Sequence, residues 1–125
     1  MINKSQLIKS TTSCPYYTPD KHLLADIDYS ITFPGCNYKC TVFIDVSVQG
    51  LIISAKYYFI GDFVLKYLLH NFCRKLYNRT IDDLPDIYEE VLTNIPEYLD
   101  TETFNYIQDK RGYKTFNLLG KQLHD

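Results

Sequence analysis

The apolar positions between Cys40 and Leu76 change period once, and that change separates a hairpin from a helix. From Cys40 to Val48, the residues Cys40, Val42, Ile44, Val46 and Val48 alternate with Thr41, Asp45 and Ser47, the two-residue period of a strand with one face buried. Gln49-Gly50 offers a turn in which glycine can take a positive φ. Leu51, Ile53, Ala55, Tyr57 and Phe59 then repeat the alternation against Ser54, Lys56 and Tyr58. Between Phe63 and Leu76 the spacing becomes three and four: Leu65, Leu68, Leu69, Phe72 and Leu76 form one stripe, with Lys66, His70, Arg74 and Lys75 mostly off it. That pattern predicts a helix with a core face. Gly61-Asp62 is its entry, and Asp62 is suited to an N-cap whose carboxylate accepts from the amide of Val64 or Leu65.

Upstream, Ala25 to Phe33 alternates in the same way, with Ile27, Tyr29, Ile31 and Phe33 against Asp26, Asp28, Ser30 and Thr32. Three strands so close in sequence predict an antiparallel meander. The run Cys14–Asp20, with Pro15 and Pro19, is a loop; residues 1–13 are polar and form either a short helix around Lys4–Lys9 or a disordered lead-in. Downstream, Thr80 followed by acids predicts a helix start that accommodates Pro85. This helix should stop near Thr93 or Asn94, before Pro96. Asp100-Thr101 caps a short helix reaching Tyr106 and Ile107, and a last helix over Tyr113–Leu123 buries Phe116, Leu119 and Leu123. Strands first and helices afterwards predict an α+β fold: a small antiparallel three-stranded sheet followed by helices packed on one face, as one domain over residues 1–125.

The chain of 125 residues is long enough to bury a core without metals or disulfides as its main support. Its 13 Lys and Arg against 15 Asp and Glu give a net charge of -2, which argues against nucleic acid as a partner. No apolar run is long enough to span a bilayer, and Met-Ile-Asn-Lys-Ser-Gln lacks the apolar segment of a secretory signal. The expected setting is therefore cytoplasmic and reducing, with the four cysteines as free thiols. Cys40 shares a face with Val42 and Ile44, and Cys73 follows Phe72, so both read as small core residues; His70 reads as a solvated or edge histidine. Cys36 and Cys40 are too widely spaced for a zinc knuckle, and no second Cys/His pair accompanies them. No Gly-x-Ser-x-Gly, glycine-rich phosphate loop or His-Glu-x-x-His is present, so no enzyme class is indicated.

From Pro15 to Leu84 the order of elements and several local words resemble the NifU/IscU-type scaffolds for iron–sulfur cluster assembly. That family has a strand ending in Asn-Pro-x-Cys-Gly-Asp, a hairpin, Gly-Cys at a helix start, and a Gly-Lys/Arg-Thr turn after the helix. Here the corresponding words are Phe33-Pro34-Gly35-Cys36-Asn37-Tyr38, the strands from Cys40 to Phe59, Gly61-Asp62, and Asn78-Arg79-Thr80-Ile81. The resemblance implies a non-catalytic scaffold served by a cysteine desulfurase or another assembly protein. It also implies three cysteine thiolates, helped by an aspartate and often a histidine, that hold a nascent cluster or zinc. Carried over position by position, Cys36 keeps the first thiolate, Tyr38 stands at the aspartate and Asp62 at the second cysteine. The third cysteine should follow an arginine in the last helix, where Arg111-Gly112-Tyr113-Lys114-Thr115 supplies none. Cys36 and Asp62 are thus the metal-ligand candidates, and an iron–sulfur cluster or zinc is only weakly supported. The expectation is a divergent cluster-assembly scaffold with a degenerate site, the alternative being an interaction module that retains the scaffold fold.

Overall fold

A computed structural model describes residues 15–124; Cys14 and the alternatives for residues 1–13 lie outside the described residues. Three strands, β1 (Ile27–Thr32), β2 (Lys39–Val46) and β3 (Ile52–Ile60), form an antiparallel sheet in sequence order. They are followed by α1 (Phe63–Leu76), a short 3-10 turn at Ile81–Asp83, α2 (Leu84–Tyr98), α3 (Thr101–Gln108) and α4 (Arg111–His124). This is the α+β meander-then-helices order that the periodicities predict.

Helix α1 is the centre of the molecule. It packs against β3, α2 and α4, while α4 reaches across to β1. The stripe Leu65, Leu68, Leu69, Phe72 and Leu76 is fully buried. Val64, Tyr67 and Cys73 are buried as well, because neighbours lie on more than one side of the helix. On the sheet, Cys40, Val42, Ile44, Ile52 and Tyr57 complete the core. Phe72 meets Phe116 of α4 edge-on at 6.0 Å between ring centroids, so a single apolar layer joins sheet, α1 and α4.

The hairpin departs from strict alternation at one point. The pairing runs Asp45 to Ser54 and then Val46 to Ile52, so Ile53 is an extra residue. A bulge of this kind reverses which face the following side chains occupy. Ile52 is therefore in the core at 0% exposure, whereas Ile53 is 53% exposed and Leu51 lies at the surface. This corrects the assignment of Leu51 and Ile53 to the core face. Val48 is also fully exposed, since β2 ends at Val46 and Gly50, with φ +84°, turns the chain back.

Helix α2 also runs further than expected. Thr80 and Asp83 form the anticipated acidic cap, with Asp83 Oδ2 accepting from the Thr80 amide at 3.0 Å and its hydroxyl at 3.1 Å. The helix then passes through Pro96 to Tyr98. Proline removes one amide donor, but the Leu99 amide donates to the Ile95 carbonyl at 3.1 Å beyond it. Ile95 and Leu99 are both buried, and tertiary burial outweighs the local preference to stop.

Candidate functional site

The three places expected to carry ligands are brought to one end of the molecule by separate elements. The first is the β1–β2 loop, closed by the Phe33 amide donating to the Tyr38 carbonyl at 2.8 Å. Gly35, at φ +82°, makes the reversal possible. Cys36 is half-buried in this loop, and its Sγ accepts weakly from the Tyr38 amide at 3.5 Å.

The second is the strand-to-helix junction. Asp62 is the N-cap of α1, with Oδ1 accepting from the Leu65 amide at 3.0 Å; the expected cap is present. The preceding Gly61 permits close packing, because a Cβ there would lie 3.1 Å from the Tyr38 ring and 3.0 Å from Leu65. Tyr38 is thus laid across the junction. Burial, the neighbouring Asp62 charge and a hydrogen bond to that carboxylate raise its phenol above the ordinary value, while the Arg111 guanidinium opposes them. Tyr38 therefore stands within electrostatic reach of Asp62, Arg111 and Cys36.

The third is the start of α4. The helix begins at Arg111, earlier than the Tyr113 expected from periodicity, and takes Gly112 into its first turn. First-turn amides have no partner within their own helix. The Gly112 amide finds one outside, in Asp62 Oδ2 at 3.2 Å. Both carboxylate oxygens of Asp62 are therefore engaged by the N-termini of two helices, which favour negative charge. Gly112 is also sterically required: a Cβ would collide with Asp62 Oδ1 and lie 2.7 Å from the Leu65 amide nitrogen. The Gly112 contact was not legible in sequence, where Lys110-Arg111-Gly112 reads as a helix break.

Elsewhere the thiols behave as core residues. Cys40 and Cys73 are each 1% exposed, and burial pushes the Cys40 thiol up to about 12. His70 is half-buried at the edge of α1 against Tyr16, with ring centroids 5.3 Å apart. Burial, then the charges of Arg74 and Lys66, lowers its pKa. Among the described residues no three His, Cys, Asp or Glu side chains converge as a metal site.

A three-stranded meander, a central helix capped at its junction with the sheet, and a last helix returning to that cap define a NifU/IscU-type fold. Solved structures similar to it include the following two. One, from the thermophile Fervidobacterium islandicum AW-1, is described as an iron–sulfur cluster assembly scaffold protein for the SUF system; it aligns with a TM-score of 0.59 and 11% identity over 95% of this chain and 92% of that one. The other is the N-terminal part of a nitrogen-fixing NifU-like protein from Brucella abortus, with a TM-score of 0.63 and 12% identity over 94% of this chain and 85% of that one. No family model and no curated protein matches the sequence. At these identities the likeness establishes the fold.

Proposed function

We propose that this chain is a divergent relative of the iron–sulfur cluster assembly scaffolds in which the ligand site has become a structural joint. The observation that carries this reading is the double engagement of Asp62, by the Leu65 amide on one oxygen and the Gly112 amide on the other. A carboxylate so placed is held by two helix ends and by the Tyr38 hydroxyl, so a metal would have to compete with all three. The third ligand would have to come from the start of α4, where Gly112 leaves no space for a side chain. Clusters are held mainly by cysteine thiolates, and the thiol at this end of the described chain is Cys36. The donor set does not fit an iron–sulfur cluster, and weak zinc binding through Cys36 and Asp62 would compete with the caps that hold Asp62.

In this reading the protein is not an enzyme and works in a reducing, cytoplasmic setting through partners. The resemblance supports a cysteine desulfurase or another assembly protein as the partner class. Among the described residues no helix is long and apolar enough to cross a membrane. The alternative, an interaction module that kept the scaffold fold, shares the same capped site and differs in whether any metal passes through it.

The test is anaerobic reconstitution with iron and sulfide, then desalting and assay of iron, labile sulfide and visible absorption, with Cys36→Ser alongside. The expected result is no cluster that survives desalting. A stoichiometric cluster in the parent that disappears in Cys36→Ser would overturn the reading.

A further inference from the structure

The outward face of the sheet carries a concavity distant in role from the Asp62 joint. It has a volume of about 190 Å³ and is lined by Lys21, Ser30, Thr32, Lys39, Thr41 and Tyr58. Pocket sites for drug-sized ligands occupy roughly 300–1,000 Å³, so this one suits a compact group. Its polar side chains are two cations and four hydroxyls, with no carboxylate, and Ile31 and Cys40 complete the lining. Metal cations are thereby disfavoured, and an anion is matched.

The lining is held in place from several directions. Ser30, Thr41 and Tyr58 stand side by side across β1, β2 and β3 through the pairings Ser30–Thr41 and Thr41–Tyr58. Lys21 comes from the loop before β1, which is tied to the sheet by the Thr18 amide donating to the Tyr57 carbonyl at 2.8 Å. Within that loop Asp20 accepts from the His22 amide at 2.9 Å, and Thr18 Oγ1 accepts from the Asp20 amide at 3.2 Å. The ion pairs among the described residues join Arg79 to Asp83 and Glu90, and His124 to Glu89; none uses Lys21 or Lys39. Ser30 and Thr41 hydroxyls share one hydrogen bond at 2.9 Å. Whichever donates, the other keeps its own hydrogen for a ligand. The net charge of the chain is -2, so any attraction of an anion must come from such a local feature.

We propose that this concavity binds a small oxyanion of the phosphate class, with Lys21 and Lys39 as counter-charges and, as neutral donors, the hydroxyls of Thr32, Tyr58 and whichever of Ser30 and Thr41 accepts from the other. Two ammonium groups match a dianion, and charge-assisted hydrogen bonds are the strong ones. The inference is independent of whether Cys36 or Asp62 ever meets a metal.

The experiment is a titration of ¹⁵N-labelled protein with inorganic phosphate and with pyrophosphate at constant ionic strength, with chloride as the reference anion. Saturable amide shifts centred on Lys39, Thr41 and Tyr58 are expected, with pyrophosphate the tighter ligand. Lys21→Gln/Lys39→Gln should weaken binding about ten-fold or more, and Tyr58→Phe should weaken it less. Lys114→Gln/Lys121→Gln, the same charge change at exposed positions of α4, should leave it unchanged. No saturable shifts up to about 50 mM phosphate, equal shifts with chloride, or undiminished binding in the double lysine variant would overturn the proposal. A phosphoserine tripeptide serves as the arm for phosphate carried on a protein; binding tighter than that of pyrophosphate would overturn the small-ion reading.

Discussion

Asp62 and Gly112 are fifty residues apart in sequence, and a backbone amide of one meets a carboxylate oxygen of the other at 3.2 Å. The contact fastens the start of α4 to the start of α1, so one side chain sets the relative position of two helices that together cover the sheet. Replacing Asp62 by alanine removes both caps, and about 2 kcal/mol of stability should be lost, twice the usual loss for one cap. Asparagine keeps one acceptor oxygen and turns an amide NH2, a donor, toward the other helix end, so Asp62→Asn should fall between parent and Asp62→Ala. Chemical denaturation of the three proteins checks the order; identical midpoints would dissolve the double cap.

Glycine to alanine inside a helix ordinarily stabilises it by about 1 kcal/mol. At Gly112 the sign should reverse, because the added methyl meets Asp62 and lies 2.7 Å from the Leu65 amide nitrogen. Gly112→Ala should destabilise by about 1–3 kcal/mol, as overpacking does. The penalty should shrink in an Asp62→Ser background, which retains a cap and frees space; equal penalties in both backgrounds would show that the two residues are not coupled.

The bulge makes two adjacent isoleucines inequivalent. Ile52→Ala should lose about 2–5 kcal/mol, like Leu68→Ala or Ile44→Ala, whereas Ile53→Ala and Lys66→Ala should change stability by no more than about 0.5 kcal/mol. Thermal melts of the five variants are sufficient. A large loss at Ile53 with none at Ile52 would place the bulge elsewhere.

Thiol accessibility separates the cysteines. In a Cys14→Ser background, one equivalent of Ellman's reagent should react with the native protein, at half-buried Cys36, and Cys40 and Cys73 should react only on unfolding. Rapid reaction of three native thiols would contradict the core placement.

Burial raises the Cys40 thiol from its ordinary 9.0 to about 12, with a stated consequence for alkaline stability. Below pH 9 both folded and unfolded states hold the proton. As pH rises through that window, the unfolded thiol ionises first and the folded state loses ground, on the order of 4 kcal/mol by the top of the window. Cys40→Ala should flatten the fall in stability between about pH 9 and 12 relative to the parent; parallel curves would mean the thiol ionises in place.

The order of elements was legible because it depends on local period. The stripe from Leu65 to Leu76 gave α1 its limits, Phe63–Leu76, and alternation placed all three strands. Asp62 could be read as a cap because a cap is satisfied within one turn. Three things depended on contacts that no local pattern encodes. The bulge at Ile53 reversed the faces of Leu51 and Ile52, since register is set across strands rather than along one. Burial of Ile95 and Leu99 carried α2 past Pro96 against its local preference. The meeting of Gly112 with Asp62 joined residues whose partnership exists only once α4 has folded back on α1. The sequence by itself determined which segments are strands and helices and which ligand types are present. Tertiary packing decided that the two oxygens of Asp62 each accept from the start of a different helix, because an unpaired first-turn amide and a carboxylate oxygen satisfy each other when brought within 3.2 Å.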